Sequence, residues 1–309
     1  MNLRKVALTE LWAIDCQFLD ACLLHAEIHG EHVARQVKLP SVKGSIAVLP
    51  IHGMISQRGS VWDEVFGGTA ADSFAASYAR AINDDRISAV VLDVDSPGGT
   101  VAGVEAAAEL VYQGRQYKPT VAVANSQAAS AAYWLASGAD KIVAAPGSEV
   151  GSIGVFRMHE DVSEMLSQDG VKVTFLAMPR FKVEGNPYEP LTQAATEHNM
   201  AQVAETYEAF NAAVARNRGI KPSAAKTQFG EGRAFNARQA AAMGLVDRVA
   251  TMSEILGELG AGRTATVDAA TAEILSELCA VWESGIIEPL KHLPSLEIRK
   301  RRAFLMGLY

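Results

Sequence analysis

Two short segments carry the residue types and spacing that a reactive serine would need. Asp95-Ser96-Pro97-Gly98-Gly99-Thr100 follows the apolar run VVLDV, and Asn125-Ser126-Gln127-Ala128-Ala129-Ser130-Ala131-Ala132-Tyr133-Trp134 follows a second apolar run and enters a helical pattern. The paired glycines let the backbone turn tightly and present N–H groups to a ligand, as stabilisation of an oxyanion requires. Pro-Gly-Gly is also an ordinary strand-to-helix turn, so this segment by itself stays ambiguous. A serine at a helix entrance is most often only its cap. The alanines around Ser130, however, leave open space at its hydroxyl, and the following residue offers a free N–H. Ser130 is therefore a candidate nucleophile and the Ala131 N–H a candidate oxyanion donor, and the chemistry they would support is acyl transfer.

A second cluster competes for attention. His25, Glu27, His29, Glu31 and His32 lie close together, with His25 and His29 four apart on a helical pattern. The order His-Ala-Glu-Ile-His lacks the zincin arrangement, in which Glu directly follows the first His, and Gly30 ends the helix there. No metal site is expected.

The elements that must position these residues follow from periodicity. Residues 3–28 read as an amphipathic helix, with Leu11, Ile14, Phe18 and Cys22 at helical spacing. Ser45 to Ile55 reads as a strand and opens an alternating pattern: helix Ala70 to Asn83, strand Ala89 to Val94, a Ser96–Gly99 turn, helix Val101 to Gln113, strand Thr120 to Ala124, helix Ala129 to Ala136 and strand Lys141 to Ala145. Short apolar strands alternating with helices predict a layered α/β fold with a sheet buried on both faces. Further along, Val171 to Ala177 reads as a strand, Thr192 to Arg216 as a long helix capped by Thr192, and Ala237 to Met243 as a shorter one ended by Gly244. After Val249 the small, polar stretch ELGAGRTATVDAAT, Glu258 to Thr271, reads as a linker, followed by a helix over Ala272 to Ile287 and the basic cluster Arg299 to Arg302, read as a solvated tail.

In this order, SPGGT, SQAASAAYW, Gly151-Ser152-Ile153-Gly154-Val155, and Gly232-Arg233 with AAAMGLVD from Ala240 to Asp247 resemble the signal peptide peptidase A family of serine proteases, over about residues 44–250. The segment Phe181-Lys182-Val183-Glu184-Gly185-Asn186-Pro187-Tyr188 is similar to the form found in phage and prophage members. The resemblance implies a Clp protease/crotonase-like layered fold of repeated ββα units, flanked here by helical arms: 1–43, then the Ser-Lys peptidase domain 44–250, then a linker and helical tail 251–309. It implies a Ser–Lys dyad of Ser130 and Lys182, Ser152 as the residue that orients the lysine, and Gly99 and Ala131 as oxyanion donors. Lys172 is the nearest competing lysine. To act as a base Lys182 must be neutral, which requires a drop of about three pH units from its ordinary value near 10.4 and therefore an apolar seat. No cofactor is implied. The expected substrate is a protein or peptide, such as a phage scaffold or capsid protein, and the expected assembly is a homo-oligomeric ring with active sites where subunits meet.

Composition agrees with that class. Among 309 residues, 28 Lys and Arg stand against 35 Asp and Glu, a net charge of −7, which argues against a nucleic-acid or anionic-membrane binder. Cys16, Cys22 and Cys279 show no paired spacing, which fits a reducing compartment. No signal peptide and no apolar run of about 20 residues is evident, so no membrane anchor is expected. The expected setting is the host cytoplasm or an assembling phage prohead. Three alternatives remain at this point: a cytoplasmic signal-peptide or protein-degrading peptidase of the same family, a crotonase-like acyl-CoA enzyme, and a catalytically idle capsid-assembly component.

Overall fold

The computed structural model describes residue 7 and residues 10–29, 40–43, 45–59 and 67–260, with backbone alone for 25–29 and 43. The elements run β1 (Trp12–Ile14), α1 (Cys16–His29), β2 (Ser41–Lys43), β3 (Ile46–Ser56), β4 (Gly68–Ala70), α2 (Ala71–Asn83), β5 (Ala89–Thr100), α3 (Val104–Gly114), β6 (Thr120–Ala129), α4 (Ala131–Ser137), β7 (Lys141–Ala144) and β8 (Glu149–Gly151). They continue with α5 (Ser163–Gln168), α6 (Gln193–Arg218), α7 (Pro222–Gln228), β9 (Ala234–Asn236), α8 (Ala237–Met243), β10 (Arg248–Val249) and α9 (Met252–Glu258). The expected layered α/β fold is the one observed.

The sheet has the order β10-β7-β6-β5-β3-β2. Strands β3, β5, β6, β7 and β10 are parallel, and β2 is an antiparallel edge. Side chains of β5 alternate between two cores, as the two-residue period of a strand dictates. Val90, Leu92 and Val94 join the large cluster with α2, α3 and α4, whereas Ala89 and Val91 join a second cluster with Ile255 and Leu256 of α9.

Halfway along, the ladders slip, between His52 and Met54 of β3 and between Val94 and Ser96 of β5. Beyond the slips the same strands acquire new neighbours: β4 pairs with β3, β1 with β5, and β8 with β6, while β9 joins β8. This upper portion holds the candidate site.

Three sequence expectations change here. The Ser96–Gly99 segment is not a turn but the continuation of β5, because Met54 and Ile55 pair with it on one edge and β1 on the other. The helix expected over 3–28 is interrupted by strand β1, and α1 starts only at Cys16, capped by Asp15, whose Oδ1 accepts from the N–H groups of Gln17 and Phe18 at 3.0 and 3.2 Å. Residues 171–177 form no strand: they pair with no described strand and lie exposed. The long helix α6 does begin at Thr192, whose Oγ1 accepts from Ala195 N–H at 3.1 Å, and α8 ends at Gly244 in the left-handed conformation. The expected helix at 272–287, the basic cluster at 299–302 and residues 30–39 with Glu31 and His32 lie outside the described residues.

Candidate active site

Ser130 sits at the junction of β6 and α4 with φ 55° and ψ −119°. A left-handed φ is costly for a residue with a Cβ and persists only where the surroundings over-determine it. They do so here. Ser130 N–H donates to Gly151 O at 2.8 Å, and Trp134 N–H donates to Ser130 O at 2.9 Å as the first bond of α4. The helix itself is fixed from three sides. Trp134 stacks on Phe210 of α6 with centroids 4.5 Å apart, Tyr133 Oη donates to Leu245 O at 2.7 Å, and Asn217 Nδ2 donates to Ser137 Oγ at 2.9 Å. Burial pushes the Tyr133 hydroxyl far above its ordinary range, so it stays protonated as a donor.

The strained turn directs the Ser130 hydroxyl toward Gly154 O, 3.4 Å away. Ala131 is fully buried as the first residue of α4, where N–H groups have no partner within the helix. Facing it, Gly98 has φ 101°, and a Cβ there would stand 3.0 Å from Ser130 Cβ. At Gly99 a Cβ would meet Ile55 O at 1.8 Å. Gly98 needs glycine both for its positive φ and for close approach, and Gly99 for close approach alone. Ser96 locks this strand from beneath: its buried Oγ donates to Gly53 O at 2.6 Å and accepts from Gly98 N–H at 3.1 Å. The Gly98-Gly99 strand thus lies against Ser130 at the start of α4, with Gly98 in direct approach.

Ser152 lies close by in a left-handed turn, φ 54°, its N–H donating to Arg233 O at 2.8 Å. It lines a cavity of about 640 Å³ together with Ile14, Gly154, Phe156, Val203 and Tyr207. Among the described residues its hydroxyl makes no hydrogen bond to Lys182.

Lys182 is where the expectation departs from the single chain. It occupies a turn between Met178 and Gly185 and is exposed, so the described residues do not provide the apolar seat expected for it. No hydrogen bond joins it to Ser130 among the described residues. The physical reason lies in its surroundings. The segment before it has no strand partner among the described residues and exposes Leu176 and Met178 almost completely, at 98% and 92%. Lys172 lies in the same exposed stretch.

The most important feature missing from the sequence reading is β1. Leu11 to Asp15 runs antiparallel to the Pro97–Val101 strand, with Asp15 N–H donating to Pro97 O at 2.8 Å and Val101 N–H to Leu11 O at 3.0 Å. Its other edge is bonded to Phe156 in both directions, each bond 2.9 Å. It covers Ser130, which is 1% exposed. Asp15, a helix cap placed immediately after a Trp-Ala-Ile triplet, was the signal that the helix starts later and that a strand precedes it.

The described histidines do not approach Ser130 through any hydrogen bond. His52 Nε2 lies 3.2 Å from Asp93 Oδ2, and Asp93 Oδ1 accepts from Asn125 Nδ2 at 2.7 Å. By strand alternation Asp93 faces away from α4, so this His–Asp pair serves the opposite side of the sheet. Among the described residues no group of three or more His, Cys, Asp and Glu is disposed to hold a metal, and no helix is long and apolar enough to cross a membrane.

Residues 113–265 match Peptidase family S49. The chain is 30% identical over 237 residues to the head-tail preconnector protein GP5 of Enterobacteria phage P21, covering 77% of this chain and 47% of that protein. It is 29% identical over 222 residues to capsid assembly protease C of Escherichia phage lambda, covering 72% and 50%. The chain thus spans about half the length of these curated relatives. Among solved structures it matches a mutant of 1510-N, a membrane-bound stomatin-specific protease, at 18% identity and a TM-score of 0.42, covering 70% of this chain and 84% of that one. Residues 113–265, which carry Ser130, Ser152 and Lys182, are a domain of peptidase family S49, the signal peptide peptidase A family of serine proteases.

Proposed function

We propose that this chain is a serine endopeptidase that cleaves protein components of an assembling phage capsid, with residues 44–250 as its catalytic unit. The observation that carries the reading is the convergence on Ser130 of a strained strand-to-helix turn, the Ala131 N–H at the start of α4 and the Gly98-Gly99 strand. In the proposed reaction Ser130 Oγ attacks the scissile carbonyl and Lys182 takes its proton. Gly99 and Ala131 N–H groups hold the oxyanion, and Lys182 then protonates the leaving amine. Water resolves the acyl-enzyme, releasing the carboxylate product.

The exposure of Lys182 and the lack of a hydrogen bond to Ser130 among the described residues support a dyad assembled between chains of a homo-oligomeric ring. Val171, Val173, Phe175, Leu176, Met178 and Phe181, all exposed, supply an apolar surface for that contact and the seat that would lower the lysine's proton affinity. Ser152 orients the amine. The capsid setting, in the host cytoplasm or prohead, rests on the names borne by the two phage relatives.

The test is cleavage of casein by purified wild type and Ser130→Ala, read by mass spectrometry. Wild type is expected to generate discrete peptides and the variant to lose at least about a thousandfold in rate. Equal cleavage by the variant would refute the assignment.

A further inference from the structure

The candidate nucleophile lies beneath a strand of its own chain, and the way that strand is held defines a peptide site. Antiparallel ladders alternate hydrogen-bonded and non-bonded pairs. Here the Asp15–Pro97 and Leu11–Val101 bonds flank the Ala13–Gly99 pair at a spacing of two residues on either side. Ala13 and Gly99 are therefore a hydrogen-bonded pair, with the Gly99 N–H directed at the Ala13 carbonyl. That same carbonyl oxygen lies 2.3 Å from the point where a Cβ on Gly98 would stand, and Ser130 Cβ lies 3.0 Å from the same point. The Ala13 carbonyl thus occupies the place between oxyanion donor and nucleophile that a scissile carbonyl would take.

The side chains of β1 sort by face. Ala13, fully buried, enters the main core cluster with Ile55, Ala128 and Ala131. Trp12 and Ile14, also buried, point the other way into a separate cluster with Leu19, Met54 and Phe156. The groove accordingly holds an extended backbone on both edges, accepts a small side chain toward Ser130, and receives bulky apolar side chains at the flanking positions.

We propose that the cleft between Pro97–Val101 and Phe156 is the substrate groove, that Leu11–Asp15 fills it as an internal peptide in the manner of a substrate, and that the groove selects extended peptides with a small residue flanked by large apolar ones. This deepens the peptidase reading and rests on it for the word substrate. Binding follows the strand-addition mode, in which main-chain bonds give affinity and alternate side chains give selectivity. A tethered occupant competes at an effective concentration of roughly millimolar, so outside peptides gain access only when the arm opens or is displaced.

The experiment uses the full chain with Ser130→Cys, and follows iodoacetamide alkylation at position 130 by peptide mapping, which separates it from Cys16, Cys22 and Cys279. The readout needs neither Lys182 nor turnover, so it stands or falls separately from the casein assay. Adding Trp12→Ala and Ile14→Ala, which unseat β1, is expected to raise the alkylation rate at least about tenfold. A synthetic peptide of residues 8–19, supplied in trans, is expected to restore protection, and the same peptide carrying Ala13→Trp to require at least about ten times the concentration. An unchanged rate when hydrogen exchange shows the arm released, a rise that the native peptide does not reverse, or equal protection by the two peptides would each overturn the proposal.

Discussion

The glycines beside Ser130 show how close backbone approach shapes the surroundings of the candidate nucleophile. Gly99 is not merely permissive: a methyl there would stand 1.8 Å from Ile55 O, a backbone atom that can move only with β3. Gly99→Ala is therefore expected to cost about 3 kcal/mol, the upper end of ordinary overpacking, read as a lower urea midpoint with an unchanged slope. An unaltered midpoint would mean that β3 and β5 are farther apart than described. Ser130 and Ala131 could be singled out as candidates in the sequence because a small-residue neighbourhood around a serine leaves a compositional trace, whereas Gly99 entered only through the family resemblance. Ser96 was not legible as the lock beneath Gly98. Its role arises from a bond to Gly53, 43 residues away, which no local pattern encodes.

At the scale of elements, the strand–helix alternation from β3 to β7 was readable because each strand is a short apolar run between turn residues, and because Thr192 and Gly244 mark helix ends. Two other segments were misread for physical reasons. Trp12-Ala13-Ile14 has helical spacing with the residues that follow it, yet tertiary pairing with β5 and Phe156 wins. Residues 171–177 have strand composition, but a strand requires a partner ladder, and the described chain supplies none. The elements that support α4 give a pH-dependent expectation. Arg218, at the end of α6, makes a two-pronged contact with Asp247 at 3.0 and 3.1 Å, and Asp247 also accepts from Ile142 N–H at 2.7 Å. Burial opposes the Asp247 carboxylate, but those hydrogen bonds and the Arg218 charge outweigh it and hold the group below the usual carboxylate range. Because the folded value is the lower one, its contribution is complete above the unfolded value of about 3.9 and disappears as pH falls through the folded value. Asp247→Asn is expected to lose about 2 kcal/mol at neutral pH in urea unfolding, with the gap to wild type closing in acid. A gap that persists below that range would assign the effect to packing rather than charge.

At the scale of the whole molecule, one chain holds the candidate nucleophile and candidate oxyanion donors on one sheet, while Lys182 lies exposed on a segment of exposed apolar residues. A surface with Leu176 and Met178 bare in water is unfavourable for an isolated protein and natural for an interface. On the proposed reading the two halves of the site become one on assembly, and the β1 arm would govern access to the Ser130 half. The pairing of Ser130 with Lys182 across chains is best tested by mixing Ser130→Ala chains with Lys182→Ala chains and measuring casein cleavage. Each variant alone is expected to be inactive, and the mixture to regain a measurable fraction of wild-type rate, because one interface then joins an intact Ser130 to an intact Lys182. No recovery, in oligomers shown by native mass spectrometry to contain both chains, would contradict it.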